Sequence, residues 1–177
     1  MTKADVIRLL GEGRSLTSGS APWTLRFIDQ ADAQFGGRWA WHTLSGAEAL
    51  DIILPPHAGE PCKGDTLPLV ASGGATVRQA AATLAAVHAN YARLNASCWS
   101  RISESAQAPF TPVILTTAPL ESDDYVTLVQ APGRLYHLDG FHRLVGWAWA
   151  GKLDAHGSIQ AMVAGAFPGW RQVSSPL

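Results

Sequence analysis

Apolar positions along this chain follow two rhythms, one of period two and one of period three to four. Val6, Leu9 and Leu10 give residues 3–10 one apolar side, as in a short amphipathic helix. Gly11 and Gly13 break it, and residues 15–22, rich in Ser, Gly and Thr, read as a loop. Apolar and polar residues then alternate from Trp23 to Phe27, which predicts a half-buried strand over 23–28. A Gly36-Gly37 turn leads to a second strand over 38–44, and residues 47–54 form a short helix closed by Pro55-Pro56. Residues 55–75 are punctuated by Pro and Gly and predict a long connection.

Beyond that connection the helical rhythm is clearest. Thr76 is a suitable N-cap, and Val77, Ala80, Leu84, Val87, Tyr91 and Leu94 follow at steps of three and four. Residues 112–116 read as a short buried strand. Residues 125–129 and 134–138 flank Ala131-Pro132-Gly133 and predict a hairpin. Residues 141–150 are helical, with Gly151 as the terminating glycine, and 159–164 form the last strand. These elements predict one α+β domain over 1–177, a small mixed sheet covered by the 76–95 and 141–150 helices. Residues 1–74 are an N-terminal elaboration whose strands extend the sheet or dock on it, and 76–165 are the core.

Composition narrows the function classes. Basic residues number 13 and acidic residues 14, giving a net charge of −1 with no Lys/Arg run, so no DNA surface is expected. No window approaches the length of a membrane span, and the charged N-terminus is unlike a signal peptide. Cys62 and Cys98 make neither a disulfide framework nor a metal motif. A cytoplasmic protein without a membrane partner is the expectation.

The candidate chemistry lies in Tyr136-His137-Leu138-Asp139-Gly140-Phe141-His142-Arg143-Leu144. A strand stops at a glycine and a helix opens at once. The first turn of a helix offers backbone N–H groups and the positive end of its dipole, and here His and Arg are added. Gly140, Phe141, His142 and Arg143 are therefore the expected holders of a phosphate, sulfate or carboxylate. Arg143 grips the anion with its planar fork, or else pairs with a nearby acid. Asp139 is a general base, the residue that orients His142, or a helix cap; a tight cap would compete with the anion. His142 moves a proton or packs under the turn. His137 and Asp139, two apart on a strand, should point to one face. With His142 they make a His-x-Asp-x-x-His pattern, which matches no established metal motif. His137, Thr116 and Trp147 are candidates for the pocket wall, although core packing is the commoner role for the seven tryptophans.

The order helix, strand, hairpin, Gly turn, helix, strand over 76–165, with Pro112-Val113-Ile114-Leu115, the run 135–144 and Gly151-Lys152, resembles the ParB/sulfiredoxin superfamily. In ParB-like domains a strand ends in Gly, a basic pair follows on the next helix, and the turn binds nucleotide phosphates. Sulfiredoxins have Gly-Cys-His-Arg there; this chain has Gly140-Phe141-His142-Arg143. Phe141 replaces the reactive Cys, so sulfinic-acid repair is not implied. No helix-turn-helix is expected in the short remaining stretch, so DNA partition is not implied either. The resemblance points to the small-molecule branch, with ATP or another nucleotide as a candidate ligand and the metal requirement open.

The leading expectation is a small-molecule enzyme of transferase or lyase type, in a biosynthetic pathway such as specialised metabolism. Its substrate carries phosphate or sulfate, and the reaction is phosphoryl transfer, or elimination or cyclisation with the anion leaving. The alternatives are a non-catalytic nucleotide-binding or regulatory module, and a subunit whose aromatic surface packs on a partner that completes the site. A homo- or hetero-dimer stays open.

Overall fold

A computed structural model describes residues 1–12, 15–17, 21–56, 67–153 and 157–166. Cys62, Trp170 and much of the Pro/Gly-rich connection lie outside these residues.

Local chemistry sets the helix starts. Helix α1 (Lys3–Gly11) begins with a capping box: Asp5 N–H donates to Thr2 Oγ1, and the Asp5 carboxylate accepts from Thr2 N–H. Ser45 with Glu48 does the same for α3 (Gly46–Leu50), and Thr76 with Gln79 for α4 (Val77–Leu94). Helix α2 (Ala21–Gln34) covers the stretch read as a strand over 23–28. The six-residue alternation fits a strand, but the longer spacing of Thr24, Ile28, Ala31 and Phe35, all buried, is helical. Pro22 in the first turn is compatible with a helix start.

The other elements are β1 (Trp39–Ser45), β2 (Ile53–Leu54), β3 (Ala75–Thr76), α5 (Ala96–Gln107), β4 (Val113–Thr116), β5 (Tyr136–Asp139), α6 (Phe141–Trp149) and β6 (Ser158–Ala164). Helix α5 has no counterpart among the expected elements. Four serines dilute it, and only Cys98, Ile102 and Ala106 are buried. The hairpin before β5 is absent. Asp123–Tyr125 is a single 3-10 turn, and Val126 and Val129 stand 77% and 83% exposed. Strand β5 has two edges, and β4 and β2 occupy both.

The strands form one six-stranded mixed sheet in the order β1-β6-β4-β5-β2-β3. The fold is α+β. Pairs β1–β6, β4–β5 and β2–β3 are antiparallel; β4–β6 and β2–β5 are parallel. Both strands from the first 74 residues lie within this sheet. One apolar cluster joins Val113, Leu115, Ile159 and Val163 to α3, α4, α5 and α6. The other joins Ile114, Tyr136, Leu138 and Met162 to α1 and α2. Helices therefore cover both faces, which is why the central strands read as unbroken apolar runs. Helices α5 and α6 meet closely at Gly146: a Cβ there would sit 2.6 Å from the Ile102 carbonyl oxygen.

Candidate functional site

The expected corner forms where β5 hands over to α6. Gly140 makes the turn at φ +108°, a conformation that disfavours a side chain, and a Cβ would come within 2.8 Å of Val113 Cγ1. It is the N-cap of α6 and has no side chain with which to cap the helix.

The Asp139 carboxylate has partners on separate elements. Arg143 Nη2 donates to Asp139 Oδ2 at 2.6 Å, and the Thr24 hydroxyl donates to Asp139 Oδ1 at 3.1 Å. Arg143 Nη1 donates to Thr111 Oγ1 and to the Pro112 carbonyl, each at 2.7 Å. The guanidinium expected to receive an anion is therefore already paired with an internal acid. The side chains of Arg143 and Asp139 are 25% and 9% exposed. This knot ties the end of β5, the first turn of α6, the approach to β4 and the face of α2 together.

A bulge explains the aim of Asp139. Ile114 lies opposite Asp139, while the next β4 residue, Leu115, lies opposite His137, so Leu138 is an extra residue on β5. Directly opposed residues share a sheet face. Ile114 faces α1 and α2, and Leu115 faces the opposite helices. Asp139 is thereby turned towards Thr24, and His137 lies on the other face, with its ring centroid 6.1 Å from that of Phe141. The expectation that His137 and Asp139 share a face fails because the bulge breaks the two-residue alternation. Among the described residues no group of three His, Cys, Asp or Glu side chains could hold a metal ion.

His142 follows Phe141, with ring centroids 5.5 Å apart. Tyr125 donates its hydroxyl to the His137 carbonyl at 2.9 Å. Burial raises the Tyr125 pKa well above its ordinary value, and the charges of Asp124 and Asp139 add to the rise. Two of the candidate wall residues belong elsewhere. Thr116 is fully buried at the other end of β4 and donates to the Ala118 carbonyl. Trp147 is fully buried, in edge-to-face contact with Phe110, and is core. Of the acids outside the corner, Asp124 pairs with Arg26 and Glu104 accepts from Ser100. Lys152 donates to the Ala108 carbonyl.

Residues 21–176 match DUF6309, a family of unknown function. The chain belongs to that family. No curated protein and no solved structure matches it. The DUF6309 stretch begins with α2, so it includes Thr24, Thr111, Asp139 and Arg143, whereas α1 lies before it. Sequence reasoning missed Thr24 and Thr111. Thr24 stands 115 residues from Asp139 along the chain, and no local spacing could have linked them. An open groove of about 310 Å³ between α4 and α6, lined by Leu50, Arg78, Ala85, Trp149 and Leu153 among others, contains none of the corner residues.

Proposed function

We propose that this protein is a small-molecule enzyme whose substrate carries a phosphate or sulfate group, held at the start of α6. The single observation behind this reading is the charged corner itself. A bulge, a left-handed glycine and an Asp–Arg pair whose carboxylate is almost covered converge on the start of α6. Burying charge is costly, so such clusters gather at functional sites more often than by chance. The anion would take the backbone N–H groups of Gly140, Phe141 and His142 and share the Arg143 guanidinium with Asp139. His142 would move the proton, since both carboxylate oxygens of Asp139 are engaged. Phosphoryl transfer, or elimination or cyclisation with the anion leaving, suits a site that stabilises growing negative charge. The resemblance of Gly140-Phe141-His142-Arg143 to the ParB/sulfiredoxin turn supports a nucleotide or another phosphorylated ligand.

A second reading, a nucleotide-binding or regulatory module without turnover, draws support from that same engagement of Asp139. A thermal-shift series with phosphate, sulfate and ATP tests both readings. A ligand at about 100 times its Kd adds roughly 2.7 kcal/mol to stability. For a chain of this length that is a rise of roughly 5–11 °C. The wild type should show the rise, and His142→Ala should lose most of it. Phosphate release from bound ATP, present in wild type and absent in His142→Gln, separates the enzyme from the module. A wild type unmoved by all three ligands overturns both readings.

A further inference from the structure

The sheet has two unlike edges. One is β3, two residues long, whose Thr76 already caps α4. The other is β1, seven residues paired along their whole length with β6 and, among the described residues, with no strand on the far side. The alternation of its backbone follows from two hydrogen bonds. Gly165 N–H donates to the Arg38 carbonyl, and Gly46 N–H donates to the Gly157 carbonyl. These fix residues 38, 40, 42, 44 and 46 as those bonded to β6, since the register is unbroken. The N–H and C=O groups of Trp39, Trp41 and Thr43 therefore point away from the sheet. Among the described residues nothing bonds them.

Such an edge normally carries a device that repels another strand: a Lys, a Pro, a bulge, an inward charge or a very short length. Trp39-Ala40-Trp41-His42-Thr43-Leu44-Ser45 has no Lys, Arg, Asp, Glu or Pro, and its register has no bulge. Both its faces are already covered, Trp39 and Trp41 in one apolar cluster and Leu44 in the other. What the edge lacks is backbone partners, not a hydrophobic cover.

We infer that β1 is a dimer interface, and that a second copy of this chain pairs with it antiparallel about a two-fold axis at Trp41. Two observations select a second copy. Centred on Trp41, the strand is complementary to itself: Trp39 meets Thr43 of the copy, Trp41 meets its equivalent, and Thr43 meets Trp39. Each pair then joins two outward-pointing residues, and each exchanges both N–H···O bonds. No charged side chain opposes another in that register, and paired aromatic and β-branched residues stabilise neighbouring strands. The contact is isologous, so it closes at two chains, and the two six-stranded sheets become one continuous sheet.

Thr43 is the residue to change, because it is exposed and its N–H is not used by β6. Proline is tolerated on an edge strand where the N–H faces outward. Light scattering on an eluting column should give the wild type twice the 18.8 kDa chain mass, and Thr43→Pro and Thr43→Lys the single mass with native circular dichroism. Residue-resolved hydrogen exchange on the wild type gives an answer that needs no variant. The amides of Trp39, Trp41 and Thr43 should exchange slowly, although they point away from β6. A wild type of single mass overturns the inference, including the case in which its outward amides are protected by another segment. So does a dimer whose outward amides exchange freely, a larger assembly, or a folded Thr43→Pro that remains dimeric.

Discussion

Asp139→Asn is the substitution that tests the charged corner. Asparagine keeps the volume and can still accept from Thr24, but it removes the charge opposite Arg143. Removing one partner of a fully buried ion pair costs about 3–5 kcal/mol, whereas an exposed pair contributes about 1 kcal/mol or less. This pair falls between those limits. Its carboxylate is almost covered, but Arg143 is one quarter exposed and keeps Thr111 and Pro112 as acceptors. The expected cost is about 2–3 kcal/mol, taken below the fully buried figure. For a domain of this size that lowers Tm by about 4–12 °C. Arg143→Met alone should cost a similar amount, because it leaves Asp139 buried and charged. The double variant should be more stable than the sum of the two predicts, by a coupling of about 1–3 kcal/mol. The same substitution reports on function. If the anion shares Arg143 with Asp139, releasing Nη2 should enlarge the thermal shift produced by phosphate. Scanning calorimetry of the four proteins with and without phosphate reads both effects. A coupling near zero would refute the claim that the pair holds the corner together. A smaller phosphate shift in Asp139→Asn than in wild type would refute shared use of the guanidinium.

Two further outcomes follow from the fold. Gly146→Ala should destabilise by about 1–3 kcal/mol in urea unfolding, despite the higher helix propensity of alanine. The new methyl meets the backbone of α5 at Ile102 and Ala106, which no side-chain rotation relieves; an unchanged midpoint would mean that α5 and α6 are looser than described. His42 is buried on β1, and burial lowers its pKa below the ordinary value. The unfolded chain then binds more protons than the folded one below about pH 6.5, so this contribution to stability is complete above that pH and is lost as pH falls through it towards the folded value. His42→Gln should flatten the fall in Tm below about pH 6.5, and an identical slope in variant and wild type would exclude His42 as its source.

What could be read from the sequence depended on how far apart the cooperating residues lie. Helix α4 was legible because Thr76, Gln79 and the apolar stripe sit within one element. The turn at Gly140 was legible because a strand, a glycine and a helix follow one another within nine residues. Helix α2 was misread because the window over 23–28 fits both periods, and only Ala31 and Phe35 beyond it decide. The hairpin was misread because turn chemistry around Pro132-Gly133 is local, while occupancy of both β5 edges is a property of the whole sheet. At the corner one of the two readings of Arg143, pairing with a nearby acid, is the arrangement found, whereas the contact of Asp139 with Thr24 was not read. Asp139 was weighed as a cap, a general base or the residue that orients His142, roles read within its own turn; its oxygens accept from a helix at the far end of the chain and from Arg143 one turn on. A bulge cannot be read from one strand alone, since it is a mismatch between two.

The paired guanidinium changes what an anion site here would have to do. A free Arg at a helix start adds a full positive charge to the dipole; one held by a carboxylate adds little net charge. An incoming phosphate would then be selected less by charge than by the fixed directions of the first-turn N–H groups and of the guanidinium plane. That geometry depends on Thr24, because the Thr24 hydroxyl anchors the free end of the carboxylate. The DUF6309 match begins at residue 21, three residues before Thr24, and so spans both ends of this network. If the corner is the site, α2 belongs to its machinery as much as α6 does. Thr24→Val, which keeps the shape and removes the donor, should then weaken phosphate binding without touching the anion. Unchanged binding in that variant would reduce α2 to a packing element and leave the turn at Gly140 to act alone.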